Sequence, residues 1–596
     1  MTPFLRRSGA AILIFGFLAW RAGARLPAID DEAARFRENE EGRAKRMLAH
    51  AARAAALARG ISGAPPPSVE GTTRGFDVLS YDLSFDVDPG MRLMSGTSTT
   101  RIAGFAKSTS AVAFDFDRNF TVDSVTRDGV PLDSFTFAND RLVVPLSPPL
   151  AAEERTTIGI AWEGQPPAAA ALAWWQHQTG TAVTSVAEPF GARTFWPCVD
   201  APDDKAVATV TATVPNGYVV ASAGLGTSTT LDDGRTRTTW RFDRPISTYL
   251  VSLNVANYAV VEDAYTALDG RVMPIRSYLM PENAEANAPR VAPIKDHLHL
   301  FASLFGEYPF VDTKYGVVSS WFPGGMEHPT LTSIGESILS NVPRDITILL
   351  VHELSHQWWG DKVTMRTWDD VWLNEGFATY CEVLYREKAL GRDPGVTLST
   401  LYDDGLYGGQ LAHTVVADPA DPFANTGSVY YKGAWFLHML RRLVGDDAFF
   451  SGLNAYGATH AWGTATRGEL RAAFEQRTGL DLKQFFDQCL EAPFRPQFQA
   501  TYRTSADAST VTLTVTQAQG HLVRHPVAGA NDRPFYVFPL IVRLTYLDGT
   551  TYDVSVIPTD FTTTVTVPNP SKKFVAGIAL DPGRDILKVV LSTGPA

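Results

Sequence analysis

The chain has 596 residues, 45% hydrophobic and 19% charged, a make-up that fits a folded globular protein and argues against an intrinsically disordered one. At about 150 residues per domain, the length allows three or four domains. The formal net charge is −12 and no long basic run occurs, so a nucleic-acid role has no electrostatic support.

In chain order, Arg6 and Arg7 precede an apolar stretch over residues 10–20, followed by Ala22-Gly23-Ala24. Residues 1–24 therefore read as a secretory signal peptide, and a secreted or periplasmic location is expected. The alternatives are an uncleaved N-terminal membrane anchor or a buried helix. The apolar stretch falls short of the roughly 17–25 residues of a spanning helix, and no later segment reaches that length.

Residues 25–70 are rich in Ala, Arg and Glu and then break at "GAPPPSVEG", which predicts a helical lead-in and a linker. Residues 71–270 carry "YDLSFDV", "TTIGIAWEG", "ATVTATV" and "TTWRFDR", alternating stretches that predict a β-rich domain. Over 271–493 the segments lengthen and the period becomes helical, with several ending at Gly. Residues 494–596 return to strands, including an Asp548-Gly549 hairpin signal, and predict a β-sandwich. The three cysteines, Cys198, Cys381 and Cys489, are far apart and odd in number. They read as buried core residues, with neither a disulfide framework nor a Cys-x-x-Cys metal site.

The stretch "LLVHELSHQWWGD" (349–361) carries the chemistry. His352 and His356 stand four apart, so on a helix both project from one face, one turn apart. Glu353 between them is within reach of a metal-activated water, which makes the pattern two zinc ligands and a general base. A catalytic zinc takes three protein ligands and keeps one position open. Glu375 in "WLNEGFATY" supplies the third, with 18 residues between it and His356. It lies among Trp372, Leu373, Phe377 and Ala378, where an unpaired charge would be costly.

Five ordered segments then resemble the zinc aminopeptidases of the aminopeptidase N and leukotriene hydrolase type, within the gluzincins. They are "AEPFGARTFWPCVDAPDDKA" (187–206), "GGMEHP" (324–329), "VHELSHQWWGDKVT", "WLNEGFATY" and "YYKGAWFLHML" (430–440). The resemblance covers nearly the whole chain after the linker. It implies an α+β multidomain fold: an N-terminal β-rich saddle domain, a thermolysin-like, mostly α catalytic domain and a C-terminal β-sandwich. The large helical C-terminal domain of many relatives is not expected, so a more open site is.

The resemblance also implies one Zn2+ per chain, held by His352, His356 and Glu375. Glu353 is the implied general base. Tyr430, two residues before Lys432, is the implied donor to the oxyanion; apart from the resemblance, Tyr430 and Tyr431 read as a core pair. Glu327 and Glu188 are the implied readers of a substrate α-ammonium, with Gly324, Gly325, Met326 and His328 lining the same loop. His328 replaces the family's usual Asn, and a titration of His328 near neutrality beside Glu327 is expected to make substrate affinity pH-dependent.

The expected activity is a zinc aminopeptidase acting on peptides with a free N-terminus, as a monomer without nucleic acid. The alternatives are an endopeptidase of the same fold and a catalytically inactive binding or scaffold protein. The preferred N-terminal residue is not readable from the sequence.

Overall fold

Residues 76–88 show how the β-rich region is specified. Phe76 and Val78 point to the core, and so do Tyr81, Leu83, Phe85 and Val87. The parity changes because the register against the next strand shifts between Val78 and Ser80, a bulge that keeps both apolar sets on one face.

The computed structural model describes residues 74–596, apart from 106–107, 168–170, 342–344, 402–412, 493–494 and 519–535. The expected signal peptide and the lead-in and linker (25–70) lie outside the described residues. Among those described, no helix is long and apolar enough to cross a membrane.

Phe76–Asp88 lies inside an eight-stranded sheet, parallel to Ala206–Val214 on one side and antiparallel to Leu93–Gly104 on the other. A four-stranded sheet beside it includes Leu172–His177 and Gly180–Ser185, and the latter strand leads directly into Glu188. The hairpin Ala259–Thr266/Val272–Leu279 then opens a five-stranded sheet completed by Val317–Ser320, Thr332–Gly335 and Gly325–Met326. The expected boundary at residue 270 thus falls in the turn of a hairpin whose two strands share one sheet.

This sheet lies largely within residues 271–493, which are mostly helical as expected and carry these short strands as well. Val317–Ser320 and Thr332–Gly335 are parallel and buried at every position. Such strands carry no alternation for a sequence reading to detect. Ile294–Phe305 and Thr347–Ser355 pack on the sheet, and Trp372–Leu390, Gly433–Val444, Asp446–Thr459 and Arg467–Thr478 pack in turn against neighbouring helices. Trp372–Leu390 ends at Gly391 in the left-handed conformation, and Arg467–Thr478 begins with a Thr466/Glu469 capping box. Thr347–Ser355 is buried from Leu349 onward, its polar His352 and Glu353 included.

Strands and helices up to residue 490 share one continuous core. After Gln497 two further sheets, of four and three strands, enclose a separate core around Phe498, Leu513 and Leu544. The Asp548-Gly549 turn closes its Leu540–Tyr546/Thr551–Val556 hairpin. All three cysteines are buried and free.

Candidate active site

His352 sits in the last turn of Thr347–Ser355 and His356 is its C-terminal cap, still in helical conformation. Glu375 lies in the first turn of Trp372–Leu390. One of its oxygens is 3.2 Å from His352 Nε2 and 3.6 Å from His356 Nε2. The other ring nitrogens are committed. His352 Nδ1 is 2.8 Å from Glu382 Oε1, and His356 Nδ1 is 3.0 Å from the Trp359 carbonyl. Both partners accept, so each Nδ1 donates its proton and each Nε2 presents a lone pair. Two imidazole nitrogens and a carboxylate oxygen, within 4.8 Å of one another and all buried, fit a zinc-type ion with a position left open.

Glu353 faces the same centre with Gly325 packed directly against its carboxylate. Gly325–Met326 is the edge strand of the five-stranded sheet, paired with Thr332–Gly335, and Gly324 bonds both Phe322 and Gly335. The helices bearing Glu375 and Tyr430 are brought together by glycines. A Cβ on Gly376 would lie 3.1 Å from the Cα of Gly433. This close crossing carries a π-helical turn, Gly427–Lys432, over the metal ligands. The Tyr430 ring stacks on His352, with centroids 6.0 Å apart and planes 13° apart. Burial, then the charges of Glu375 and Glu188, hold its hydroxyl well above the usual tyrosine range, so Tyr430 keeps its proton as a donor. Tyr431 sits 6.5 Å from Tyr430, ring to ring.

Glu188 and Glu327 converge on Glu375, their oxygens within 4.8 Å of one another. Both Glu188 oxygens and Glu327 Oε1 are buried without a hydrogen-bond partner among the described residues. Burial pushes Glu188 well above the carboxylate range, with Glu327, Glu375 and Glu353 adding to it. Burial also raises Glu327, to about 7, against the pull of His356. Glu188, Glu327 and Glu375 thus converge on one buried space. There a carboxylate is ionised only beside a cation and otherwise keeps its proton.

His328 departs from expectation. It is fully buried, its Nδ1 is 2.9 Å from Ser333 Oγ, and its Nε2 has no partner. Burial pushes it down to about 3, so it stays neutral near pH 7 instead of titrating beside Glu327.

Other residues were not read from the sequence. Glu382, which fixes His352, is seven positions after Glu375 and on the same helix face, a spacing that could have marked it. Gln357 bonds the Glu327 carbonyl, and Asn374 donates to the Tyr249 hydroxyl at 3.0 Å; neither carries a sequence signal. Several quoted motif residues are braces. Lys205 Nζ donates to the carbonyls of Asp361, Lys362 and Gly463, joining the strand-rich region to the catalytic one. Arg193 pairs with Asp200 at 2.8 Å, and Lys432 Nζ holds the carbonyls of His413 and Ala492.

Residues 295–489 match the model of the peptidase family M1 domain, and residues 78–250 that of the peptidase M1 N-terminal domain. Glutamyl aminopeptidase of Bos taurus is 30% identical over 331 residues, covering 52% of this chain and 34% of that protein. Aminopeptidase N of Streptomyces lividans is 31% identical over 366 residues, covering 58% and 41%. The chain thus spans between about a third and two-fifths of these curated relatives' length. An M1 zinc metallopeptidase from Deinococcus radiodurans, solved as a point mutant with a Tyr-Ser-Ala substrate, superposes with a TM-score of 0.62 at 27% identity. That likeness covers 72% of this chain and 97% of the other.

Proposed function

Because the chain belongs to peptidase family M1, we propose that it is a zinc aminopeptidase, hydrolysing the first peptide bond of peptides that carry a free N-terminus. His352, His356 and Glu375 would hold a zinc ion, which when bound would supply Lewis acidity to a water nucleophile and to the scissile carbonyl. Glu353 takes the proton of the attacking water and delivers it to the leaving amine. Tyr430 donates its hydroxyl proton in a hydrogen bond to the oxygen that becomes negative. The Gly325–Met326 edge offers its backbone to an extended substrate as an added strand. Glu188 and Glu327 hold the α-ammonium through charge-assisted hydrogen bonds.

One observation carries the choice of exopeptidase: the buried, unpartnered oxygens of Glu188 and Glu327 beside the metal ligands. An ammonium supplies the cation they need. A continuing acylated chain supplies none and leaves both carboxylates buried and unpaired, which opposes the endopeptidase alternative. The test is a panel of aminoacyl reporter substrates and their N-acetylated forms, assayed with the wild type and Glu353→Gln, zinc content being measured on both. Cleavage confined to the free amines and abolished in Glu353→Gln is expected. Equal cleavage of acetylated substrates, or full activity in Glu353→Gln, overturns the reading.

A further inference from the structure

The loop that presents Glu327 ends in an unusual residue. Thr330 has φ +63°, and among the described residues it is the β-branched one found in the left-handed region. A β-branched side chain is strained there and stays only where its surroundings fix it. Each of its polar groups is held. Its N–H donates to Gln357 Oε1 at 2.9 Å, and its carbonyl accepts from Lys314 Nζ at 3.1 Å. Its Oγ1 accepts from the Gly224 N–H at 2.9 Å and lies 3.3 Å from Lys314 Nζ. Residue 330 itself is fully buried.

Gln357 grips the other end of the same loop. Its Nε2 donates to the Glu327 carbonyl at 3.2 Å and to Asp361 Oδ2 at 2.8 Å. Its Oε1, besides holding Thr330, accepts from the Tyr308 hydroxyl at 3.0 Å. One amide side chain therefore spans the loop from residue 327 to residue 330. It is fully buried and directly follows the ligand His356. The ammonium loop and the metal-binding turn are thus tied by a single rigid link. Asn, Ser or a hydrocarbon at this position would either fall short or lack one of the two roles.

We propose that Gln357 is the positioning residue of the α-ammonium site, clamping the strained Glu327–Thr330 loop so that the Glu327 carboxylate stands at a fixed place relative to the metal ligands. This rests on the aminopeptidase reading. It assigns Gln357 no contact with the substrate; its effect passes through Glu327. Positioning within a fraction of an ångström is what a charge-assisted contact to an ammonium requires.

The experiment measures binding without turnover. In a Glu353→Gln background, calorimetry gives the Kd of a short free-amine peptide and of its N-acetylated form, with zinc content and near-UV circular dichroism recorded alongside. Adding Gln357→Met, which keeps side-chain length but removes donor and acceptor, is expected to cut the ratio of the two Kd values about tenfold, with zinc content kept. A purely structural role would leave the ratio unchanged. If Glu353→Gln binds both peptides alike, the aminopeptidase reading fails and takes this inference with it. If it discriminates and the double variant discriminates equally, this inference alone is overturned. Should Gln357→Met not fold, Gln357→Glu decides, since it keeps the acceptor for the Thr330 N–H but loses the donor to the Glu327 carbonyl. A ratio reduced about threefold or more supports the clamp, and an unchanged ratio overturns it.

Discussion

Gly325 and Glu353 are packed so closely that a single methyl group on the glycine would overlap the glutamate carboxylate. The Gly325–Met326 edge strand and Glu353, the proposed base, therefore share one boundary, and the absence of a side chain at residue 325 sets where Glu353 stands. Gly325→Ala is expected to displace the carboxylate and lower kcat about 100-fold or more, the low end of what a positioned base contributes. Zinc content should be unchanged, since no ligand is touched. Steady-state kinetics with metal analysis on the purified variant checks it; wild-type kcat would contradict it.

Glu382 lies outside the candidate ligand set of His352, His356 and Glu375, and it accepts the Nδ1 proton of His352 at 2.8 Å. Removing such a partner frees the ring to rotate and weakens the ligand. Glu382→Ala is expected to loosen zinc roughly 10- to 100-fold, as measured by competition with a chromophoric chelator. Activity should return when zinc is added in excess, which separates this loss from damage to the catalytic groups.

Tyr430 and Tyr431 are adjacent in sequence, and Tyr430 stacks on His352. Tyr430→Phe retains the ring and removes the donor. A fall in kcat of about 100- to 1,000-fold with little change in KM is expected, the size of one lost oxyanion donor. Tyr431→Phe should stay within about threefold of wild type.

The His328 imidazole is neutral when folded, held down to about 3 by burial, against an ordinary value of 6.5. Between these two values the unfolded chain takes up a proton that the folded chain refuses. Its contribution to stability is therefore intact above about pH 6.5 and is lost progressively as pH falls toward 3, at about 1.4 kcal/mol per pH unit at most. His328→Asn removes that proton linkage. Urea unfolding at pH 7 and pH 5 should show the variant losing less stability than wild type across the interval, by about 1–2 kcal/mol. The pH profile of kcat/KM should overlay that of wild type, because residue 328 does not titrate in the working range.

How much could be read from the chain followed from what is local. His352, Glu353 and His356 lie within one helical turn, and Glu375 follows at a fixed spacing with an apolar surround, so the convergence of this candidate metal set was legible. The alternating strands of the β-rich region and the Asp548-Gly549 hairpin were legible through their period. Val317–Ser320 and Thr332–Gly335 were not, since burial on both faces erases the alternation. Nor was the conformation of Thr330, which depends on Gln357, Lys314 and Gly224 arriving from three separate segments. The titration expected of His328 failed because sequence shows its neighbour Glu327 but not the burial that excludes the proton.

Lys432 has a consequence reaching beyond the catalytic region. It ends the π-helical turn that carries Tyr430 and holds the carbonyl of Ala492, shortly before the first strand of the sandwich at Gln497. Gln488, on the same joint, exchanges two hydrogen bonds with the backbone of Val537 inside the sandwich. The joint thus fastens the turn that carries Tyr430 to the chain entering the sandwich, so the placement of Tyr430 depends on residues from both regions.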